Sequence, residues 1–350
     1  MLHRRYASAL VLGVVVLSSV ALVAQKRDDR KPDDAQKKEI QIVVKLADDV
    51  SAGQAAPNDL GLAWAHEDYL KADRNKEYVP FTMTIDPSKV AGTNVVLYWR
   101  VVSKTAAPAA PAPAQKKDDK KDSKDVKRDF AYEWVSFVPV VPGSTPMRIN
   151  RSFAVPSGAY DVFVVAKEPA STQKNAPAPK VSVLKQTVTI PDFWNGEFNT
   201  SSVILAQRID PLPTPLTPEQ QADRPYALGP IEIIPAPDLK FSKKAELSPF
   251  MLIYNPKTDS ANKPDVSIDY NFYAKSSGAE KFFNKTNPQN LNGQTLPPQF
   301  DLNAGHQLQT GQAVPLAAFP EGDYRLEIKV TDKIANKSVT RDVNFTVTAP

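Results

Sequence analysis

The chain matches itself. Pro156-Ser-Gly158-Ala-Tyr160-Asp-Val-Phe-Val-Val returns as Pro320-Glu-Gly322-Asp-Tyr324-Arg-Leu-Glu-Ile-Lys-Val. Upstream, Pro80-Phe81-Thr-Met-Thr-Ile-Asp-Pro87 returns as Pro249-Phe250-Met-Leu-Ile-Tyr-Asn-Pro256. The offsets, 164 and 169 residues, fit one duplicated unit with small loop changes. Both motifs read as strands, so the expected architecture is two related β domains in series. The 32 prolines against 13 glycines agree with this, because proline breaks helix interiors and favours short elements with stiff connections.

The corner motif has a physical logic. Pro156 and Pro320 end one strand, Gly158 and Gly322 permit a sharp turn, and Tyr160 and Tyr324 open the returning strand. There the ring packs and the hydroxyl reaches backbone upstream, as in the tyrosine corner of immunoglobulin- and fibronectin-type domains. After Tyr324, Leu326, Ile328 and Val330 alternate with Arg325, Glu327 and Lys329, the pattern of a half-buried antiparallel strand. The matching run after Tyr160 is apolar on both faces, so its outer face needs a cover, for which Trp194 or the other domain are candidates. In 94–103, Val95, Leu97, Trp99 and Val101 share one face and Val96, Tyr98, Arg100 and Val102 the other.

These signals give an all-β chain of two tandem immunoglobulin/fibronectin-like antiparallel sandwiches. Residues 1–24 read as a signal peptide or an uncleaved anchor, with basic His3, Arg4 and Arg5 before an uncharged run from Ala7 to Ala24. Residues 25–38 read as a charged disordered tether, and 39–207 as the first sandwich, opening on a strand from Glu39 to Leu46. The Ala/Pro- and Lys/Asp-rich run 104–128 is expected to be a disordered insert. Residues 208–225 read as a proline-rich linker and 226–350 as the second sandwich, with 287–311 a loop.

The order of pieces resembles β-rich regions of exported acidobacterial proteins of the Gly-Trp-x-Thr-Asp and von Willebrand A-related type. The matching pieces are Ser202-Val-Ile-Leu-Ala206, the proline-rich linker, Phe241 to Asn255, and Phe319 to Ile328. The defining motif is absent, since none of Trp64, Trp99, Trp134 or Trp194 follows a glycine, and there is no Asp-x-Ser-x-Ser. The resemblance implies an exported sandwich and no particular activity.

Catalytic signals are sparse. Cysteine is absent, which removes disulfides, thiolate metal sites and cysteine nucleophiles. Of three histidines, His3 lies in the leader, His66 sits beside Glu67 and Asp68, and His306 lies in a polar loop; His66 and His306 read as surface residues. The pairs Asp48-Asp49, Glu67-Asp68 and Asp118-Asp119 are adjacent in sequence and lack the opposed geometry of glycoside hydrolysis. Trp99 and Trp134 flank the insert; they read as a packing pair, with an exposed ring platform as the other reading. The net charge of +4, from 43 basic and 39 acidic residues mixed along the chain, gives no nucleic-acid footprint.

The expectation is therefore a non-catalytic exported envelope protein, periplasmic or extracellular. It would be a structural or protein-interaction module with an unknown protein or cell-envelope partner. It would need no cofactor or metal, would bind no nucleic acid, and would touch membrane only through an uncleaved N-terminal segment. The alternative is a carbohydrate-binding module or accessory protein of a polysaccharide system.

Overall fold

A computed structural model describes residues 33–104, 130–141, 143, 146–171, 173, 175–276 and 278–350. The leader, most of the tether, His3, and all of the insert except Lys104 lie outside these residues, Asp118-Asp119 included. The described chain forms two compact units. The N-terminal unit comprises the residues up to Glu67 and Asn75–Asp192; the C-terminal unit comprises Asp68–Arg74 and Phe193–Pro350.

In the N-terminal unit the strand Glu77–Ile85 lies between Ala63–Glu67 and Met147–Val155. The opposing sheet runs Tyr132–Pro139, Asn94–Ser103, Gly158–Lys167, Val181–Ile190, all antiparallel. Counted along the chain, the seven strands form sheets of order 1-2-5 and 4-3-6-7. The C-terminal unit repeats that order. Glu246–Phe250 lies between Ile204–Pro211 and Val314–Pro315. The second sheet runs Ala279–Lys285, Val266–Ser276, Gly322–Asp332, Lys337–Thr348. Short strands are added to this frame, such as Ile231–Pro235 beside Ile204–Pro211 and Lys240–Ser242 parallel to Lys337–Thr348. This is the connectivity of an immunoglobulin- or fibronectin-type sandwich, present twice. The repeated sequences occupy equivalent places: Pro80-Phe81 and Pro249-Phe250 lie in strand two, and both tyrosines open strand six.

The two corners agree in detail. The Tyr160 hydroxyl donates to the Pro156 carbonyl at 2.9 Å, and the Tyr324 hydroxyl to the Pro320 carbonyl at 2.8 Å. Gly158 and Gly322 both have φ of +144°, a backbone region open essentially to glycine alone. Each bond ties the backbone just ahead of strand six to the start of that strand, and so holds the crossover between the two sheets.

Between the sheets of the N-terminal unit Trp99 is wholly buried. Its indole N–H donates to the Ser152 carbonyl at 3.2 Å, and it meets Phe81 edge-on at 6.3 Å. Val95, Leu97 and Val101 share that buried face. In the C-terminal unit Leu326, Ile328 and Val330 face a core that includes Phe272, Phe319, Tyr324 and Phe345.

The outer faces differ. In the C-terminal unit the face is polar: Arg325 lies over the Tyr273 ring at 4.3 Å and pairs with Glu327 on its own strand, with Asp342 on the adjacent strand and with Glu280 two strands away. In the N-terminal unit it is apolar, and the segment expected to be the first strand covers it. Asp34–Ser51 is an α-helix, which corrects both the Glu39–Leu46 strand and the C-terminal end of the tether. Asp33 caps it, accepting the Gln36 N–H at 2.7 Å while the Gln36 side chain accepts the Asp33 N–H at 3.0 Å. Glu39, Val43 and Ala47, four residues apart, form its buried stripe. Val43 and Ala47 pack on Val96, Tyr98, Phe163, Val165 and Val183. The cover is thus this helix; Trp194, offered by the sequence as a candidate, lies in the C-terminal unit.

Two ion pairs fasten it. Lys167 meets Glu39 at 2.6 Å with both side chains nearly buried, and Arg100 meets Asp48 at 2.6 Å while lying over the Phe130 and Phe163 rings at 4.6 and 5.3 Å. The β-branched run Ile40 to Val44 carries a strand preference of only a few tenths of a kcal/mol per residue, which burying one helix face on a sheet outweighs.

The domain boundaries also move. Residues 193–207, expected in the first sandwich, belong to the C-terminal unit, and Ile204–Pro211 is its first strand. The proline-rich stretch 208–225 is therefore partly strand, and it carries a short helix at Pro218–Asp223. The expected loop 287–311 holds the strands Gln289–Leu291 and Leu308–Gln309 and buries Leu296 and Phe300. Asp68–Arg74, in the middle of the first sandwich by sequence, joins the C-terminal unit. There the Tyr69 N–H donates to Ser202 Oγ at 2.9 Å, and the Tyr226 hydroxyl donates to buried Asp68 at 2.9 Å.

Candidate functional site

A small three-stranded sheet of the C-terminal unit places Leu252–Tyr254 between Asn199–Thr200 and Leu308–Gln309. Residues next to these strands, with 71–73, wall a cleft of about 580 Å³. Asn255 and Pro256 leave the central strand, His306 and Gln307 lead into the third, and Trp194 precedes the first. Lys71, Asp73, Thr258 and Asn303 complete the polar lining.

The cleft is fixed by hydrogen bonds. Asn255 sits at φ +55°, and its amide N–H groups donate to the carbonyls of Phe193 at 3.1 Å and Glu197 at 2.9 Å. Its amide oxygen accepts from Lys71 Nζ at 3.3 Å. One side chain thus ties the loop carrying Trp194 to the Lys71 segment. The Tyr254 hydroxyl accepts the Lys71 backbone N–H at 3.0 Å, and its ring lies 4.9 Å from that of Phe193. The Lys71 ammonium stands 4.1 Å from the centre of the Trp194 ring, which is 40 % exposed. Also in the lining, His306 Nδ1 accepts the Asp301 backbone N–H at 3.0 Å, and the imidazole lies 5.7 Å from the Phe300 ring. With Nδ1 committed as acceptor, the neutral imidazole carries its proton on Nε2, a donor. On the loop that follows Trp194, the hydrogen bond and charge of Lys337 hold the Glu197 carboxyl below the usual carboxylate range.

The residues singled out in the sequence fall elsewhere, apart from Trp194 and His306. His66 is exposed on Ala63–Glu67, Glu67 accepts the Trp64 indole N–H at 2.6 Å, and Trp64 stacks on Phe81 with centroids 4.6 Å apart. Asp48 and Asp49 pair with Arg100 and Lys45 rather than with a common centre. Trp99 and Trp134 are register partners, but Trp99 is buried and Trp134 half-buried, so they present no open ring platform. Among the described residues no group of three or more His, Asp or Glu side chains is arranged to hold a metal ion, and no helix is long and apolar enough to cross a membrane. Sequence reading missed the cleft because Lys71, Trp194, Asn255 and His306 lie far apart in the chain and belong to no local motif.

No family model and no curated protein matches the chain, so the resemblance to exported acidobacterial proteins gains no support there. Among solved structures, a crystal structure of a point mutant of Salmonella alpha-2-macroglobulin matches at 10% identity over 84% of this chain and 17% of that chain. Its TM-score of 0.20 carries no argument about fold or function.

Proposed function

We propose that the protein is a non-catalytic recognition module of the cell envelope, exported by its N-terminal leader, in which the C-terminal sandwich presents the binding cleft. One observation carries the reading. The cleft is pre-organised by Asn255, which holds Trp194 and Lys71 in place through three hydrogen bonds before any ligand arrives. Fixing the walls in advance lowers the ordering cost of binding. The uncharged run from Ala7 to Ala24 after a basic start supports export.

The test is co-sedimentation of the full-length protein with isolated cell envelopes. The wild type is expected in the pellet, and Trp194→Ala in the supernatant. A wild type that stays soluble at every salt concentration would refute envelope recognition.

A further inference from the structure

We infer that the Trp194 cleft binds a neutral saccharide of one or two pyranose units; this deepens the recognition reading above and rests on it. Three features of the wall point to that chemistry. First, the Trp194 indole is 40 % exposed; with the Lys71 ammonium over one of its faces, the exposed part offers an apolar surface that matches the axial C–H face of a pyranose ring. Second, the polar groups are mostly uncharged and suited to hydroxyls: the carboxamides of Asn303 and Gln307, the hydroxyl of Thr258, and the Nε2–H of His306. Carboxamides donate and accept at once, as each sugar hydroxyl does. Third, the wall's formal charges, Lys71 and Asp73, are one of each sign. No net field selects an anion or a cation.

Size and rigidity agree. A cleft of about 580 Å³ falls in the range, roughly 300–1,000 Å³, of small-ligand sites. Asn255 is a positioning residue rather than a ligand contact, because both its N–H groups are taken by the Phe193 and Glu197 carbonyls. The Lys71 ammonium, packed on the indole at 4.1 Å, fixes the tilt of the ring. His306 is held from below by the Asp301 N–H, so its remaining ring nitrogen is a donor at a fixed point. Aromatic stacking with a few hydrogen bonds at one cleft gives weak binding, with a Kd on the order of 0.1–5 mM.

Saturation-transfer NMR on the full-length protein with maltose, cellobiose and chitobiose, and galacturonate as the charged comparison, tests this. At least one neutral disaccharide is expected to give saturable transfer in the wild type. Trp194→Ala is expected to weaken it tenfold or more with an unchanged thermal transition, and Trp194→Phe to keep part of it. Loss of transfer with His306→Ala would identify the second contact. Absence of binding by all three neutral sugars, binding of galacturonate alone, or equal binding by Trp194→Ala overturns the inference. If these sugars fail while envelopes still retain the wild type but not Trp194→Ala, the saccharide is wrong and envelope recognition stands. If envelopes also fail to retain it, both fall.

Discussion

Replacing Glu39 by Gln strands a cation under the helix. Lys167 Nζ has two hydrogen-bond acceptors, Glu39 Oε2 at 2.6 Å and the Glu168 carbonyl at 2.8 Å, and its side chain is 5 % exposed. Glu39 Oε1 also accepts the Ala170 N–H at 2.8 Å, so the carboxylate bridges the helix to the end of the Gly158–Lys167 strand. Breaking a buried pair from one side typically costs about 3–5 kcal/mol, because the surviving charge keeps its desolvation penalty and loses its partner. An amide at position 39 keeps one acceptor oxygen, which can serve Ala170 or Lys167 but not both, and turns its NH2 toward the other donor, so a cost of about 3–4 kcal/mol is expected. Glu39→Gln combined with Lys167→Met removes both charges and should cost no more than about 1.5 kcal/mol, since buried pairs replaced by apolar groups are often near neutral. Lys167→Met alone likewise leaves the Glu39 carboxylate buried without its partner and should cost about 3 kcal/mol, so the coupling from the double-mutant cycle should be about 4 kcal/mol or more. Urea unfolding followed by tryptophan fluorescence gives the energies. Hydrogen exchange of the 34–51 amides gives a local readout: protection should drop in the single mutant and recover in the double. If Glu39→Gln costs under about 1 kcal/mol, or the two changes simply add, the pair is solvated and the helix is held by Val43 and Ala47 alone.

The remaining expectations concern the corners, the insert and one carboxylate. Tyr160→Phe and Tyr324→Phe each remove one hydroxyl-to-carbonyl bond of the same geometry, and each should cost about 1 kcal/mol in thermal denaturation; a cost confined to one corner would contradict their equivalence. Replacing residues 105–129 by a four-residue turn between Asn94–Ser103 and Tyr132–Pro139 should stabilise the protein by about 1.5 kcal/mol through loop-closure entropy, if the run is the solvated loop its composition predicts; a destabilised variant would show that the insert packs. For Asp161, burial pushes the carboxyl pKa up, but hydrogen bonds from Lys185 and Thr187 and the nearby charge of Lys104 outweigh it, and the net shift is downward. A depressed carboxylate pKa stabilises the folded state above the unfolded value of about 3.9, and that contribution is lost as pH falls through the lower folded value. Asp161→Asn should thus be less stable than wild type at neutral pH, with the difference closing in the acid limb of a pH–stability series; a constant gap would refute the assignment.

Strand positions were legible because β structure writes its burial locally. Alternation in 94–103 and 324–330 assigns faces residue by residue, and Pro-x-Gly-x-Tyr marks a bend whose glycine needs φ of +144°. The helix was not legible as a helix, although its capping box and its stripe at 39, 43 and 47 were in the sequence. Ile40, Ile42, Val43 and Val44 also suit a strand, and the deciding term was an apolar sheet face that exists only after the Gly158–Lys167 strand has paired. Helix and uncovered face are two halves of one fact, and a local window sees one at a time.

Taken alone, the sequence determined the duplicated sandwich, its corners and the inward faces of its strands, because those depend on periodicity within ten residues. Only the tertiary structure decided that Asp68–Arg74 serves the C-terminal unit and that Lys71, Trp194, Asn255 and His306 meet in one cleft. Their meeting is set by strand pairing over long separations, and no nearest-neighbour pattern carries that information.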